Sequence, residues 1–403
     1  MLPIGEGTPT LTRIVLRPHK LRTFLNKHPW VLDGSIDRID GSPADGDEVE
    51  LVSEKERFVA RGLYNSRSRI RVRLYRWEQA PLDEAFWRGR IQAALELRSL
   101  LGYDDPHGAG RLVYGEGDGL SGLVVDRYAD YLVAQVTALG IALRIAEITA
   151  ILAEMVRPKG IFLRTEHAMA RTEGIELREG LSWGRMPEGP LVIADRGLRY
   201  QVDLAEGQKT GFYLDQRENR RAAAGYFRGR RVLDMFCYSG GFSLAAAAWG
   251  GARECLGVDS SPKAIDWARA NAALNGLANV AFQTGDAFVV LESLVAAGER
   301  FGGVVLDPPK FARARRALDD ALRAYHWLNR LGMSLVEPGG ILVSCSCSGL
   351  VTREDFRHVI LGAAQQTGRQ VQLLEQRGAS PDHPVAVGCP ESEYLKCFIC
   401  RVI

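Results

Sequence analysis

From about residue 198 onward the chain alternates strand-like and helix-like stretches, and that alternation admits few folds. The apolar runs "RRVLDMF", "ECLGVD", "VAFQTGD", "GVVLDPP" and "GGILVSCS" are separated by stretches with helical spacing. Parallel strands need long crossovers, which helices supply, so this order predicts an α/β domain built on a parallel sheet. A helix near 352–366 and two more strands, "QVQLLEQ" and "LKCFICRVI", complete a seven-strand set.

In such a sheet, ligands bind outside the carboxyl ends of the strands. The first strand runs into "VLDMFCYSGGFSLAAAA", where Gly240 and Gly241 let backbone approach a ligand and Asp234 ends the strand with an acceptor. The spacing is not G-x-G-x-x-G and the lysine of a phosphate loop is missing, so a pyrophosphate fits poorly. The second strand ends "LGVDSSP", placing Asp259 as a ribose acceptor. Ser260 or Ser261 then caps a helix that Pro262 opens and Asn275–Gly276 closes. The third strand ends "TGDAF", adding Asp286. One such acid is explained as a helix cap; three in this order suit a cationic, phosphate-free nucleoside. S-adenosylmethionine has that character, with its sulfonium and amine near Asp234, ribose at Asp259 and adenine amine near Asp286.

The run "DMFCYSGGFS … GVDSSPKA … GDAF … DPPKF" resembles the class I S-adenosylmethionine-dependent methyltransferases. "GQKTGFYLDQRENR", "DPPKF", "SCSGL" and "DHPV … PESEYLK" together resemble the large-subunit ribosomal RNA 5-methylcytosine methyltransferases that carry an N-terminal PUA domain. That resemblance implies a Rossmann-like seven-strand domain behind a PUA-like module, S-adenosylmethionine as cofactor, and a target pyrimidine beside Asp307. The cofactor set it implies is Asp234, Phe236, Ser239, Gly240, Asp259, Ser260, Asp286, Ala287, Tyr213 and Arg217, the last two from a stretch that is otherwise an ordinary amphipathic helix.

The sequence then offers a choice of cysteine. C5 of a pyrimidine is a poor nucleophile, and methylating it requires prior thiolate attack at C6, whereas exocyclic amines and ring nitrogens need no such help. "GGILVSCSCSGLV" carries Cys345 and Cys347 on one strand face, Cys347 nearer the ligand-binding edge. Cys347 is the expected nucleophile, and "SCSG" matches the resembled pattern at the same place. Cys345 lies deeper and packs as a small apolar residue. A zinc cage with Cys397 and Cys400 is disfavoured, because strand positions three apart face opposite ways. Where the two-cysteine RNA cytosine methyltransferases carry another cysteine, this chain has Pro309-Lys310, so the base that removes the C5 proton is unassigned.

Three domains are expected: a β-rich PUA-like RNA-binding module (1–78), a linker helix with a small α/β module (79–192), and the methyltransferase domain (193–403). The linker helix, "PLDEAFWRGRIQAALELRSLLGYDD", shows an apolar stripe of Leu82, Phe86, Ala93, Leu97 and Leu100. Net charge is only +2, so RNA must be held by local clusters. In "YNSRSRIRVRLYRW", a period of two puts Arg67, Arg69, Arg71 and Arg73 on one face, a row suited to phosphates. Lys310 joins that RNA-binding set, and Trp30 is expected to anchor a small core. For Arg313, Arg315 and Arg316, contact with RNA and a water-facing surface are equally open readings.

No apolar run reaches the roughly 18 residues that a membrane helix needs, and "MLPIGEGTPTLTR" lacks a secretory pattern. The expectation is a cytoplasmic enzyme acting on large-subunit ribosomal RNA, with a homodimer as the candidate assembly. Two rivals remain: guanine methylation by the same fold, which makes Cys347 dispensable, and a non-catalytic RNA-binding assembly factor.

Overall fold

The computed structural model describes residues 11–204, 211–312 and 314–403, which fall into two compact units. The opening of "GQKTGFYLDQRENR" and Arg313 lie outside the described residues. The first unit comprises the described parts of Met1–Gly189, Asp203–Phe212 and Asp382–Ser392; the second holds Pro190–Val202, Tyr213–Pro381 and Glu393–Ile403.

The first unit contains a six-stranded sheet ordered Trp30–Leu32, Ile70–Arg76, Phe58–Tyr64, Glu48–Val52, Thr12–Leu16, Ile36–Asp40. Four of these strands follow from their apolar content. Trp30–Leu32 is three residues long, and Ile36–Asp40 is mostly polar and exposed, so neither carries a readable pattern. A five-stranded sheet follows in the same unit, with a hairpin between Leu123–Tyr128 and Tyr131–Val136 turning where expected, at Ala129 (φ 50°).

The helix Glu84–Leu100 buries Phe86, Trp87, Ile91, Ala94 and Arg98; of the expected stripe, Leu82 and Phe86 are buried, Leu97 is partly so, and Ala93 and Leu100 are exposed. Leu100 is 83% exposed. Arg98 turns inward because it donates to both oxygens of Asp118 at 2.6 and 2.8 Å, a bidentate pair that lets a guanidinium go inside.

The second unit is built on seven strands: β1 (Arg231–Met235), β2 (Glu254–Asp259), β3 (Val280–Thr284), β4 (Phe301–Leu306), β5 (Val336–Ser346), β6 (Val371–Arg377) and β7 (Lys396–Val402). Their order across the sheet is 3-2-1-4-5-7-6. The first five are mutually parallel, while β7 inserts antiparallel between β5 and β6. Six helices lie in the same unit: α1 (Arg217–Ala224), α2 (Gly241–Ala248), α3 (Pro262–Leu274), α4 (Ala287–Ala296), α5 (Leu318–Leu335) and α6 (Arg353–Thr367). Two apolar clusters form the core. Leu233, Phe356 and Cys400 belong to one, and Phe227, Val343, Cys345 and Cys397 to the other, so Cys397 and Cys400 do separate. The strand order reverses between β1 and β4, and such a switch point opens a crevice at the carboxyl ends of those strands.

Candidate active site

The turn after β1 is backbone under tension. Phe236 and Tyr238 both hold positive φ (63° and 48°), as does Gly240 (87°). Such conformations cost non-glycine residues about 1–3 kcal/mol each and persist where surroundings over-determine them. Gly240 is needed twice over, since a Cβ there would meet the Phe282 ring at 3.0 Å. What fixes the turn is a pair of acids. Asp234 is fully buried, and its Oδ2 accepts from Ser243 N–H at 2.9 Å and the Ser243 hydroxyl at 2.6 Å. Asp259 accepts from Tyr238 N–H at 3.0 Å through Oδ2 and from Ser261 N–H at 2.9 Å through Oδ1.

Two buried polar atoms in this turn have no hydrogen-bond partner among the described residues: Asp234 Oδ1 and Ser239 Oγ. An orphaned buried acceptor is costly and points to a ligand that completes it. Burial pushes the Asp234 carboxyl up to about 7, opposed by the Ser243 hydrogen bonds and reinforced by the Asp259 charge. A cationic group suits this site. Asp286 is exposed and its Oδ1 caps α4, accepting from Phe288 and Val289 N–H, so the capping role is real and Oδ2 is left over. Ala287 is the buried first residue of α4. Ser260 is exposed, and the cap of α3 is Ser261, which accepts from Ala264 N–H. These strand ends fit S-adenosylmethionine by charge, by open acceptors and by backbone access.

The chemistry converges one strand over. Asp307 follows the last residue of β4, and its Oδ1 accepts from Gln216 Nε2 at 2.8 Å. Gln216 Oε1 in turn accepts from Asn219 Nδ2 at 2.6 Å, and Asn219 Oδ1 from Arg377 Nε at 3.0 Å. The stretch "GQKTGFYLDQRENR" gives no hint of this relay, which depends on β6 reaching α1. Burial pushes the Asp307 carboxyl up to about 7, with the Asp215 charge adding to it and the Gln216 donor opposing it.

Cys347 follows the last residue of β5, and its Sγ lies 3.8 Å from the Pro308 carbonyl oxygen. It is half-buried, whereas the other six cysteines are buried. Cys345 sits in the core opposite Cys397, where burial raises its thiol well above the ordinary range. The two turns are tied together: Ser348 Oγ accepts from Ala312 N–H at 3.2 Å and meets the Tyr325 hydroxyl at 3.0 Å. Tyr213 joins the site, edge-on to Tyr238 at 5.3 Å, its hydroxyl pKa raised by burial and by the Asp307 charge. Arg217 is buried, its Nε 3.5 Å from Asp195. Lys310 is exposed beyond the Pro-Pro turn, as are Arg315 and Arg316. No role was expected of Lys396; it is a buried lysine at the start of an apolar strand and closes the quoted "PESEYLK" stretch.

The arginine row needs correcting. Its strand begins only at Ile70, because Asn65 and Ser68 turn the chain before it. Asn65 Oδ1 accepts from Arg67 N–H at 3.0 Å and Ser68 Oγ from Ile70 N–H at 3.0 Å, local bonds that displace the ladder. Arg67 and Arg69 are exposed. Arg71 is partly buried and pairs with Asp33 at 3.0 Å. Arg73 is not on an outer face at all: it is 8% exposed and lies 3.3 Å from Glu173 and 3.7 Å from Glu116. Trp30 joins that polar cluster rather than the core, donating to Glu116 at 2.9 Å.

His28, Cys389 and Glu391 bring three ligand-type atoms within 4.8 Å of one another. Trp30 N–H donates to His28 Nδ1 at 3.2 Å, so the neutral ring carries its proton on Nε2, facing Glu391 Oε2 at 3.4 Å. Burial pushes the Cys389 thiol up to about 12, and its Sγ donates to the same oxygen. The trio is satisfied by its own hydrogens, and the tautomer opposes metal ligation through Nε2.

Comparison with known proteins agrees with this architecture. The profile of S-adenosylmethionine-dependent methyltransferases matches residues 177–389, and that of PUA-like domains matches 14–77. The ribosomal RNA large subunit methyltransferase I of Aeromonas hydrophila is 40% identical over 391 residues, 94% of this chain and 96% of its own. Its namesake from Klebsiella pneumoniae is 38% identical, covering 97% of this chain and 98% of its own. A solved structure of a methyltransferase complexed with SAH has a TM-score of 0.84 over 96% of this chain and 99% of its own; at 21% identity it bears on the fold alone.

Proposed function

Because the chain belongs to the S-adenosylmethionine-dependent methyltransferases and carries a PUA-like domain, we propose that it methylates C5 of a cytosine in large-subunit ribosomal RNA. The substrate class is carried over from relatives that match along nearly the whole chain. The choice of C5 rests on one observation: the half-buried thiol of Cys347 stands at the Pro308 carbonyl, beside Asp307. Methylation of an amine or ring nitrogen has no use for a nucleophile there.

Asp234, Ser239, Gly240, Asp259 and Asp286 hold S-adenosylmethionine, which when bound supplies an electrophilic methyl group. The Cys347 thiolate adds to C6 of the base and loads electron density onto C5. Asp307, held by Gln216, orients the base edge through its half-buried carboxyl. Once C5 is substituted, loss of its proton lets the C6–S bond break, and the electron pair returns to sulfur. Lys310, Arg67 and Arg69 contact RNA phosphates, and the reaction takes place in the cytoplasm; no helix among the described residues is long and apolar enough to cross a membrane.

The test is product identity. Unmodified large-subunit RNA, incubated with protein and labelled S-adenosylmethionine and digested to nucleosides, yields 5-methylcytidine. Labelled methylguanosine instead would establish the guanine alternative, and no labelled product would favour the non-catalytic one.

A further inference from the structure

Lys396, the first residue of β7, is 3% exposed. Lysines are almost never fully buried unless paired, and no carboxylate ion-pairs with this one among the described residues. Its amine donates instead to two backbone carbonyls, Ser348 O at 2.6 Å and Tyr394 O at 2.8 Å. Ser348 is the residue after Cys347, and the β5–β7 register sets Lys396 opposite Ser346, the residue before it. Two acceptors leave one of an ammonium's three hydrogens uncommitted. Burial lowers the amine to about 8, and the Cys347 charge is the first influence raising it again.

We propose that Lys396 is the proton partner of Cys347: the S–H bond breaks with its electron pair left on Sγ, and the proton resides on Lys396 Nζ. The resulting thiolate–ammonium pair precedes attack on C6, so the inference rests on the C5 reading. Lys396 acts through the sulfur and is a positioning residue. The neighbouring groups do not supply this role. Burial holds Tyr213 and Tyr325 in their neutral forms, Tyr325 pushed up to about 12. Glu393 is taken by Arg353, with Nε–Oε1 at 2.8 Å. Asp307 Oδ1 already accepts from Gln216, and a carboxylate's charge opposes a thiolate beside it, while Lys310 and Arg353 reach Lys396 only as like charges that favour its neutral form.

Cys347 is the most accessible of the seven thiols, so alkylation of the whole protein by iodoacetamide, read as the modified Cys347 peptide against pH, follows its thiolate without RNA. The wild-type profile has its midpoint below the ordinary thiol value of about 8.5. Lys396→Met moves that midpoint up by about one unit or more, so alkylation at pH 7 slows about tenfold, while Lys396→Arg, which keeps the charge, retains the low midpoint. An unshifted midpoint in Lys396→Met overturns the inference. Should that variant lose S-adenosylmethionine binding through misfolding, the wild-type profile decides, and a midpoint at or above about 8.5 overturns it. Failure of the C5 reading is separate: turnover surviving in Cys347→Ala would remove that reading and leave the alkylation result untouched.

Discussion

The buried carboxyl of Asp234 gives the cofactor site a pH dependence whose sign can be worked out. Its pKa is raised to about 7, so without ligand the group gains its proton below neutrality, and the stability tied to that protonated form is lost as pH rises through 7. A cationic ligand favours the carboxylate. S-adenosylmethionine affinity therefore rises between pH 6 and pH 8, by up to about tenfold per unit below 7, and binding releases a proton in that range. Calorimetry in buffers of different ionisation enthalpy measures both. Asp234→Asn binds more weakly and flattens the profile; affinity that falls with rising pH in the wild type would contradict this role for Asp234.

Elements bring these residues together through the turns after β4 and β5. Ser348 holds them by accepting the buried Ala312 N–H, and Ser348→Ala leaves that donor unpaired at a cost of about 1–3 kcal/mol. The expected outcome is a lower urea midpoint and slower single-turnover methylation with S-adenosylmethionine affinity unchanged, since Ser348 belongs to neither cofactor turn. Weakened cofactor binding at unchanged stability would contradict it. The first four parallel strands were legible because each is a short apolar run closing on an acid or a Pro-Pro turn. The strand-end positions of the acids were legible for the same reason, and Cys347 was separable from Cys345 by one pleat. Lys396 was not legible. Its place depends on β7 inserting beside β5 from about 50 residues further along the chain, a pairing that local pattern does not encode. The arginine row misled because Asn65 and Ser68 bond their own backbone and delay the strand, a competition invisible to a period-two count.

For the whole molecule, the proposed function divides between two units: RNA contact by a PUA-like sheet with exposed Arg67 and Arg69, and methyl transfer by a methyltransferase sheet with Cys347. Arg67→Ala with Arg69→Ala reduces the salt dependence of RNA binding by a slope of about 0.7–0.9 per lost phosphate contact, read from affinities across a salt series. Arg73→Ala acts differently, destabilising the first unit by about 3–5 kcal/mol because Glu173 and Glu116 are left without their cation. An Arg73→Ala protein with wild-type stability and a reduced slope would restore the outward-facing row.

The central claim is that one thiol, Cys347, carries the reaction through C6, and covalent trapping measures it directly. Target RNA bearing 5-fluorocytosine is incubated with protein and S-adenosylmethionine, and the adduct is mapped by peptide mass. Fluorine cannot leave as a proton does, so elimination stalls and an RNA-linked Cys347 peptide accumulates. That adduct is expected in wild type and in Cys345→Ala, and neither adduct nor turnover in Cys347→Ala, which still binds S-adenosylmethionine. Near-normal methylation by Cys347→Ala, or a trapped peptide containing any other cysteine, would contradict it.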